Sequence, residues 1–217
     1  MPIFQLTEEL VFPDPKLANA EGLLAIGGDL SIERLLLAYQ NGIFPWFEDD
    51  EQILWWSPDP RLILKLEDFK ISKSLLRIIK SQKFTVKFNT RFKDVIESCS
   101  KIKRKDELGT WITEGMKSAY IKLHEEGFAH SVEIYLDDTL VGGLYGIAIG
   151  KVFCGESMFH TASNASKLAL YYLVKLLREN NFSFIDAQTP TDHLKSMGAK
   201  EIKRSEFLDL LYQEVTR

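Results

Sequence analysis

Three polar side chains stand where apolar runs end. Glu156 lies in Phe-Cys-Gly-Glu-Ser-Met-Phe, and Asp186 and Gln188 lie in Ile-Asp-Ala-Gln-Thr-Pro. Asp186 and Gln188 are two positions apart, so an extended segment points both the same way. Asp186 follows the apolar stretch 182–185, which predicts a carboxylate at the mouth of a core strand, a common place for functional groups in α/β proteins. Gly155 before Glu156 permits a bulge or the close approach of a ligand. Two carboxylates and an amide that converge can orient an amine and take its proton. Each also has a plainer reading, a strand end that meets solvent, and the residues alone leave both open. On the strand-end placement, substitution of Asp186 or Gln188 is expected to leave the fold intact.

A second group of residues suits a planar ligand. Residues 42–47 read Gly-Ile-Phe-Pro-Trp-Phe and residues 55–61 read Trp-Trp-Ser-Pro-Asp-Pro-Arg. Three of four tryptophans (Trp46, Trp55, Trp56) and three of seven prolines (Pro45, Pro58, Pro60) fall in this window. Proline removes backbone donors and biases the preceding residue to extended geometry, so the segment is no helix and a poor central strand. Aromatic rings on a stiff, irregular segment make an apolar wall that fits a nucleobase or an aromatic side chain. The plainer reading is a hydrophobic plug that seats a small N-terminal lobe.

Lys73, Arg77 and Lys80 recur at i, i+4 and i+7 on a predicted helix, within about 60° of one another, with Leu75, Leu76, Ile78 and Ile79 on the other side. Such a stripe can grip a phosphate backbone without reading sequence, or simply be a solvated face. The cluster Lys101-Ile-Lys-Arg-Lys105 is equally compatible with solubility. The four histidines show no metal spacing, and no nucleophile elbow, P-loop or dinucleotide fingerprint occurs. The loop Phe-His-Thr-Ala-Ser-Asn-Ala-Ser (159–166) lacks the Gly-rich turn that holds a pyrophosphate at a helix N-terminus.

The elements that must position these groups follow from periodicity. Residues 31–40 read as a helix capped by Ser31 and stopped at Asn41-Gly42, and 71–82 as a second helix. Residues 131–136 alternate Val132, Ile134 and Leu136 inward, and Asp137-Asp138 turns into a strand over 140–147. Gly150-Lys151 turns into a strand over 152–158, followed by an apolar helix over 164–178 and a buried strand over 182–186. A helix near Thr191 and another from Ser205 end the chain; Thr113 caps a helix that carries Tyr120. The fold class is α+β (α/β), and the strand–strand–strand–helix–strand–helix order is that of an N-acyltransferase domain. Pro58-Asp59-Pro60 marks the boundary between residues 1–60 and 61–217.

With 217 residues, 45% hydrophobic and 27% charged, the chain has ample core, and its net charge of −4 gives no global nucleic-acid signature. Any RNA contact needs a local basic patch. Cys99 and Cys154 have no partner at metal spacing, no apolar run reaches membrane length, and the first residues lack signal-peptide features. A cytoplasmic, soluble protein is expected.

Six motifs in order carry a resemblance: Gly-Leu-Leu-Ala-Ile-Gly-Gly-Asp-Leu (22–30), Gly-Ile-Phe-Pro-Trp-Phe (42–47), Trp-Trp-Ser-Pro-Asp-Pro-Arg (55–61), Gly-Thr-Trp-Ile-Thr (109–113), Phe-Cys-Gly-Glu-Ser-Met-Phe (153–159) and Asp-Ala-Gln (186–188). Together they resemble the leucyl/phenylalanyl-tRNA–protein transferase family. The resemblance implies a small N-terminal α/β domain joined to an acetyltransferase-like domain. It implies transfer of Leu or Phe, and less readily Met, from aminoacyl-tRNA to the N-terminal Arg or Lys of a protein, marking that protein for degradation under the N-end rule. It implies no cofactor, no metal and no membrane, and the chain is expected to act as a monomer.

Carried over by position, the resemblance places Trp46 and Trp111 beside the terminal adenosine and the aminoacyl ester. Glu156, Asp186 and Gln188 come to the reacting centre, where both carboxylates favour a cationic acceptor. The amino-acid side chain enters a pocket of Leu144, Phe153, Met158, Leu170 and Ile185, with Tyr120 close by. Leu173 and Leu177 stand where some members are expected to carry aromatic residues. Lys73, Arg77 and Lys80 are the expected tRNA contacts. Two other readings stay open: an acyl-CoA-dependent N-acyltransferase, against which the missing pyrophosphate loop counts, and a non-enzymatic tRNA-binding module.

Overall fold

The computed structural model describes residues 3–48, 52–102 and 111–215. Gly109 and Thr110 of one motif and Lys103, Arg104 and Lys105 of the second basic cluster lie outside the described residues.

The chain opens with β1 (Phe4–Leu6), β2 (Leu23–Gly27), α1 (Ile32–Gln40), β3 (Phe44–Pro45) and β4 (Leu54–Trp56). The strands form a four-stranded sheet in the order β1-β2-β4-β3. Ser31 caps α1, its hydroxyl accepting from the Arg34 N–H at 3.4 Å. The expectation that the aromatic–proline segment makes a poor central strand fails: β4 pairs with β2 on one side and β3 on the other. Its prolines do not interfere, because Pro45 ends the edge strand and Pro58 and Pro60 lie past β4.

The remaining elements are β5 (Arg61–Lys65), α2 (Lys73–Ser81), β6 (Phe84–Phe88), α3 (Phe92–Ser100), α4 (Glu114–Glu125), β7 (Ala129–Leu136), β8 (Thr139–Ile149), β9 (Val152–His160), α5 (Ala165–Glu179), β10 (Phe184–Asp186), α6 (Asp192–Ser196), β11 (Lys200–Ile202) and α7 (Arg204–Val215). A seven-stranded sheet runs β11-β5-β10-β9-β8-β7-β6. All its pairs are antiparallel except β9 with β10, which the crossover helix α5 makes parallel. The β7–β8 hairpin turns at Asp137, whose φ of 52° suits a short polar side chain.

Two layers of helix cover this sheet. Leu75 of α2 and Leu168, Ala169, Leu170, Leu173 and Leu177 of α5 pack with Leu144, Phe153 and Ile185. Val95 and Ile96 of α3, Met116 and Tyr120 of α4, and Phe207 and Leu211 of α7 pack with Tyr145, Ile147, Cys154 and Phe184 on the opposite face. Alternation along β9 and β10 therefore sends Phe153 and Ile185 towards α5 and their neighbours the other way. Both faces of β7 are covered at its centre, so Ser131 and Glu133 are buried along with Val132 and Ile134. Leu136, expected inward, is 37% exposed because it ends the strand at the turn.

The small sheet shares the second of these cores. Trp55, Tyr39 and Leu35 belong to one continuous cluster with Phe207 and Leu208. Gly42 sits at φ 69°, and a Cβ there would come within 2.7 Å of the Phe207 ring. A glycine at the end of α1 thus meets both a backbone and a packing need, and brings the chain directly into β3 against α7.

Candidate active site

A bulge presents Glu156. The β8–β9 ladder pairs Tyr145 with Ser157 but Gly146 with Gly155, leaving Glu156 as the extra residue. Gly146 is required opposite it, since a Cβ there would lie 2.3 Å from the Cys154 carbonyl oxygen. Pairing of β9 with β10 ends at Cys154 and Asp186. Beyond that point β9 continues, while the segment after β10 leaves extended geometry and turns at Gln188, with φ 61°. A cavity of about 460 Å³ has its walls on both diverging segments.

Leu144, Phe153, Met158, Leu170 and Ile185, the expected pocket residues, all line this cavity, together with Leu173 and Leu64. Trp46 and Trp111 line it too, as do Glu156 and Gln188. The two readings of the aromatic segment divide between its rings. Trp46 is 41% exposed at the cavity, whereas Trp55 is wholly buried core. Trp56 supports Trp46, its indole N–H donating to the Trp46 carbonyl at 2.7 Å with ring centroids 5.6 Å apart.

Glu156 is the hub of a buried hydrogen-bond network. Its Oε1 accepts from the Tyr39 hydroxyl and from Gln188 Nε2, each at 2.8 Å. Its Oε2 lies 3.1 Å from the Tyr120 hydroxyl, and the Tyr39 and Tyr120 hydroxyls are hydrogen-bonded to each other. Burial raises the Glu156 pKa to about 7 against the pull of hydrogen bonds from Tyr39, Tyr120 and Gln188, with the Asp186 charge adding to the rise. Burial, and then the Glu156 charge, push both tyrosines well above the ordinary phenol range. Because Gln188 gives Nε2 to Glu156, its carboxamide oxygen is left for a ligand. His193 also stands in the cavity wall, and burial lowers its pKa.

Asp186 differs from its expected placement. It is 1% exposed and is absent from the cavity wall. Arg61 of β5 holds both its oxygens: Nε donates to Oδ1 at 2.8 Å and Nη2 to Oδ2 at 2.7 Å. The Arg61 guanidinium in turn lies 4.8 Å from the Phe44 ring centroid and 4.5 Å from that of Phe207. Asp186 reaches the site through the backbone, where Oδ1 accepts from the Gln188 N–H at 3.0 Å. Tyr120 is likewise off the wall and joins the site through Glu156. Asp186 and Gln188 do not point the same way, because β10 ends at Asp186.

Two residues of the site were missed. Tyr39 occupies the buried side of α1, and nothing in its spacing separates a core tyrosine from a carboxyl ligand. Arg61 did carry a signal: a charge heading the apolar run Leu62-Ile63-Leu64 needs a buried partner.

Lys73, Arg77 and Lys80 of α2 are exposed and make no ion pair among the described residues. Leu75 is buried and Ile78 and Ile79 are half-buried, but Leu76 is 43% exposed, so the apolar face is narrower than expected. Lys101 of the other cluster pairs with Glu97 at 2.9 Å.

Comparison with known proteins places this geometry. The family described as leucyl/phenylalanyl-tRNA protein transferase matches residues 63–212, and its N-terminal domain matches residues 28–59. The protein named leucyl/phenylalanyl-tRNA–protein transferase in Pseudoalteromonas atlantica is 57% identical over 98% of this chain and 92% of its own. That of Syntrophobacter fumaroxidans is 54% identical over 99% and 92%, and that of Flavobacterium johnsoniae 50% identical over 96% and 99%. Among solved structures, FemX aligns with 84% of this chain and 71% of its own at 12% identity and a TM-score of 0.48. No described helix is long and apolar enough to cross a membrane. An apolar cavity with a Glu–Gln pair in its wall thus sits in an aminoacyltransferase: the chain belongs to the leucyl/phenylalanyl-tRNA–protein transferase family.

Proposed function

We propose that this enzyme transfers Leu or Phe, and less readily Met, from aminoacyl-tRNA to the N-terminal Arg or Lys of a protein, creating a degradation signal in the cytoplasm. The observation that carries this reading is the single cavity in which an apolar wall, two tryptophans and the Glu156–Gln188 pair meet. The amino-acid side chain occupies the wall of Leu144, Phe153, Met158, Leu170 and Ile185, which supplies no charged partner. Trp46 and Trp111 flank the terminal adenosine and the ester. Lys73, Arg77 and Lys80 meet the tRNA backbone as charge, without sequence readout.

The chemistry asks little of any one group. The ester is already activated, and an α-amine of pKa ~7.7–8.0 reaches its free base near neutrality at a cost of only about 1 kcal/mol. The amine nitrogen bonds to the ester carbonyl carbon, the bond from that carbon to the ribose oxygen breaks, and the amine proton ends on the ribose oxygen. Alignment of the two reactants supplies much of the rate, on the order of several kcal/mol. Gln188, its Nε2 tied to Glu156, presents its carboxamide oxygen to the amine and orients the lone pair. Asp186 is a positioning residue in this scheme: it fixes the Gln188 backbone and leaves the amine to Gln188.

The test is incubation with labelled Phe-tRNA and a peptide beginning with Arg, followed by mass measurement. Addition of one Phe residue to the Arg peptide, and not to a Glu-starting control, is the expected result. Transfer to neither peptide by the folded protein overturns the reading.

A further inference from the structure

Three hydrogen-bond contacts at Glu156 pose a question of proton number. Tyr39 touches Glu156 Oε1, Tyr120 touches Oε2, and the two hydroxyls touch each other, closing a triangle of contacts. An ionised carboxylate leaves two hydroxyl protons for three contacts. One pair of oxygens would then face each other lone pair to lone pair in a buried site, at the cost of an unsatisfied polar contact. A protonated carboxyl supplies the third proton. Oε2–H then donates to the Tyr120 oxygen, the Tyr120 hydroxyl donates to the Tyr39 oxygen, and the Tyr39 hydroxyl donates to Oε1. Every contact is filled, and Oε1 keeps a lone pair for Gln188 Nε2.

The surroundings agree with this proton count. From α1 and α4 the facing groups are Tyr39 and Tyr120, and β8 adds Tyr145 beside Tyr120. β9 itself adds Cys154, whose thiol is pushed well up by burial and then by the Asp186 and Glu156 charges. From β10 comes Asp186, whose negative charge disfavours a second one and is itself held by Arg61 of β5. No lysine, arginine or histidine is hydrogen-bonded to Glu156 among the described residues. Burial that lifts its pKa to about 7 acts in the same direction.

We propose that Tyr39 and Tyr120 are positioning residues that close a three-membered hydrogen-bond ring on a neutral Glu156, so that this carboxyl serves as the acceptor aiming Gln188 and not as an anion for the acceptor amine. The proposal rests on the reading of Gln188 as the group that meets the amine. It has a kinetic consequence: loss of the ring proton at alkaline pH leaves one ring contact without a hydrogen and frees the carboxylate that aims Gln188 to move, giving the transfer rate an alkaline limb.

Glu156→Gln tests it, because an amide reproduces the ring: Nε2 donates to Tyr120 and Oε1 accepts from Tyr39 and Gln188. Folded Glu156→Gln is expected to lack the alkaline limb that wild type shows between about pH 7 and pH 9. A folded variant about a hundredfold slower near pH 6.5 shows that the anion is needed and overturns the proposal. Infrared spectra of protein labelled with ¹³C-glutamate decide independently of activity, and of whether the variant folds. A protonated-carboxyl band near pH 6 that is lost near pH 9 and shifted by Tyr39→Phe is expected. The Tyr39→Phe shift separates Glu156 from Glu133, a second buried glutamate among the described residues, whose hydrogen-bond donors are Thr90, Arg91 and Ser131. Absence of that band overturns the proposal. Failure of wild type in the peptide assay alone, with the band present, overturns the functional reading and leaves the ring standing.

Discussion

Arg61 and Asp186 grip each other through two parallel hydrogen bonds of 2.8 and 2.7 Å, with both side chains almost fully withdrawn from solvent. The pair links β5 to β10 and is framed by Phe44 of the small sheet and Phe207 of α7. It thus stitches together β5, β10, the small sheet and α7.

Removing one partner strands the other charge in the interior. Asp186→Ala is expected to cost about 3–5 kcal/mol of stability, because Arg61 remains buried without its carboxylate. Gln188→Ala, with one side-chain hydrogen bond lost, should cost about 1 kcal/mol. Denaturant unfolding of both variants beside wild type checks the order. Equal stability of Asp186→Ala and wild type would show that the pair is not what holds β5 to β10. Any fall in transfer by Asp186→Ala must therefore be measured well below its unfolding midpoint.

Glu156 ties stability to pH. Its folded pKa of about 7 lies above the ordinary 4.5, so between these values the folded protein holds a proton that the unfolded chain has released. Stability from this group is complete at low pH and falls as pH rises towards 7, by about 3 kcal/mol in total. Glu156→Gln lacks that loss. Its stability advantage over wild type is expected to widen between about pH 5 and pH 7 and then level, in urea midpoints taken across the range. Parallel curves for the two proteins would mean that Glu156 ionises normally.

Trp46 and Trp55 should part company. Trp46→Ala removes an exposed cavity wall, so it is expected to weaken binding of an aminoacyl-adenosine mimic by about 1–3 kcal/mol with little change in melting temperature. Trp55→Ala empties a fully buried site and is expected to cost about 3–5 kcal/mol of stability. Calorimetry of binding and thermal melts on the two variants separate the roles.

The α2 stripe should act on tRNA alone. Lys73→Ala/Arg77→Ala/Lys80→Ala is expected to raise the KM for Phe-tRNA and flatten its dependence on salt, by a log–log slope of up to about 3 for three phosphate contacts. A short aminoacyl-adenosine donor should be unaffected. Equal damage to both donors would make the stripe structural.

On the proposed function, the cavity wall should set side-chain choice. Leu, Phe and Met are expected to be transferred, while Asp and Lys charged onto the same tRNA should fail, since each buries an unpaired charge against Leu144, Leu170 and Ile185. Exclusion of Ile and Val rests on shape and should be weaker, about 1–3 kcal/mol. Single-turnover transfer from tRNA charged with each amino acid ranks them.

What the sequence determined by itself is local. Ser31 and Thr113 mark helix starts because a side-chain oxygen answers nearby N–H groups. The β7–β8–β9–α5–β10 order follows from periodicities of two and 3.6, and the apolar wall was named only through the family resemblance. Gly155 beside Glu156 left a bulge or the close approach of a ligand open, and six ordered motifs foretold the family. What only the tertiary structure decided is who partners whom. Asp186 reads as a strand-end carboxylate until Arg61, 125 positions earlier, is found against it. Tyr39 and Tyr120 read as core residues until α1 and α4 bring their hydroxyls to Glu156. Trp46 and Trp55 are alike in type and context, and only the packing of β4 between β2 and β3 sends one to the cavity and the other to the core. Periodicity reports which face of an element is buried, but the partner of a buried polar group lies across the fold, at a sequence distance that no local pattern encodes.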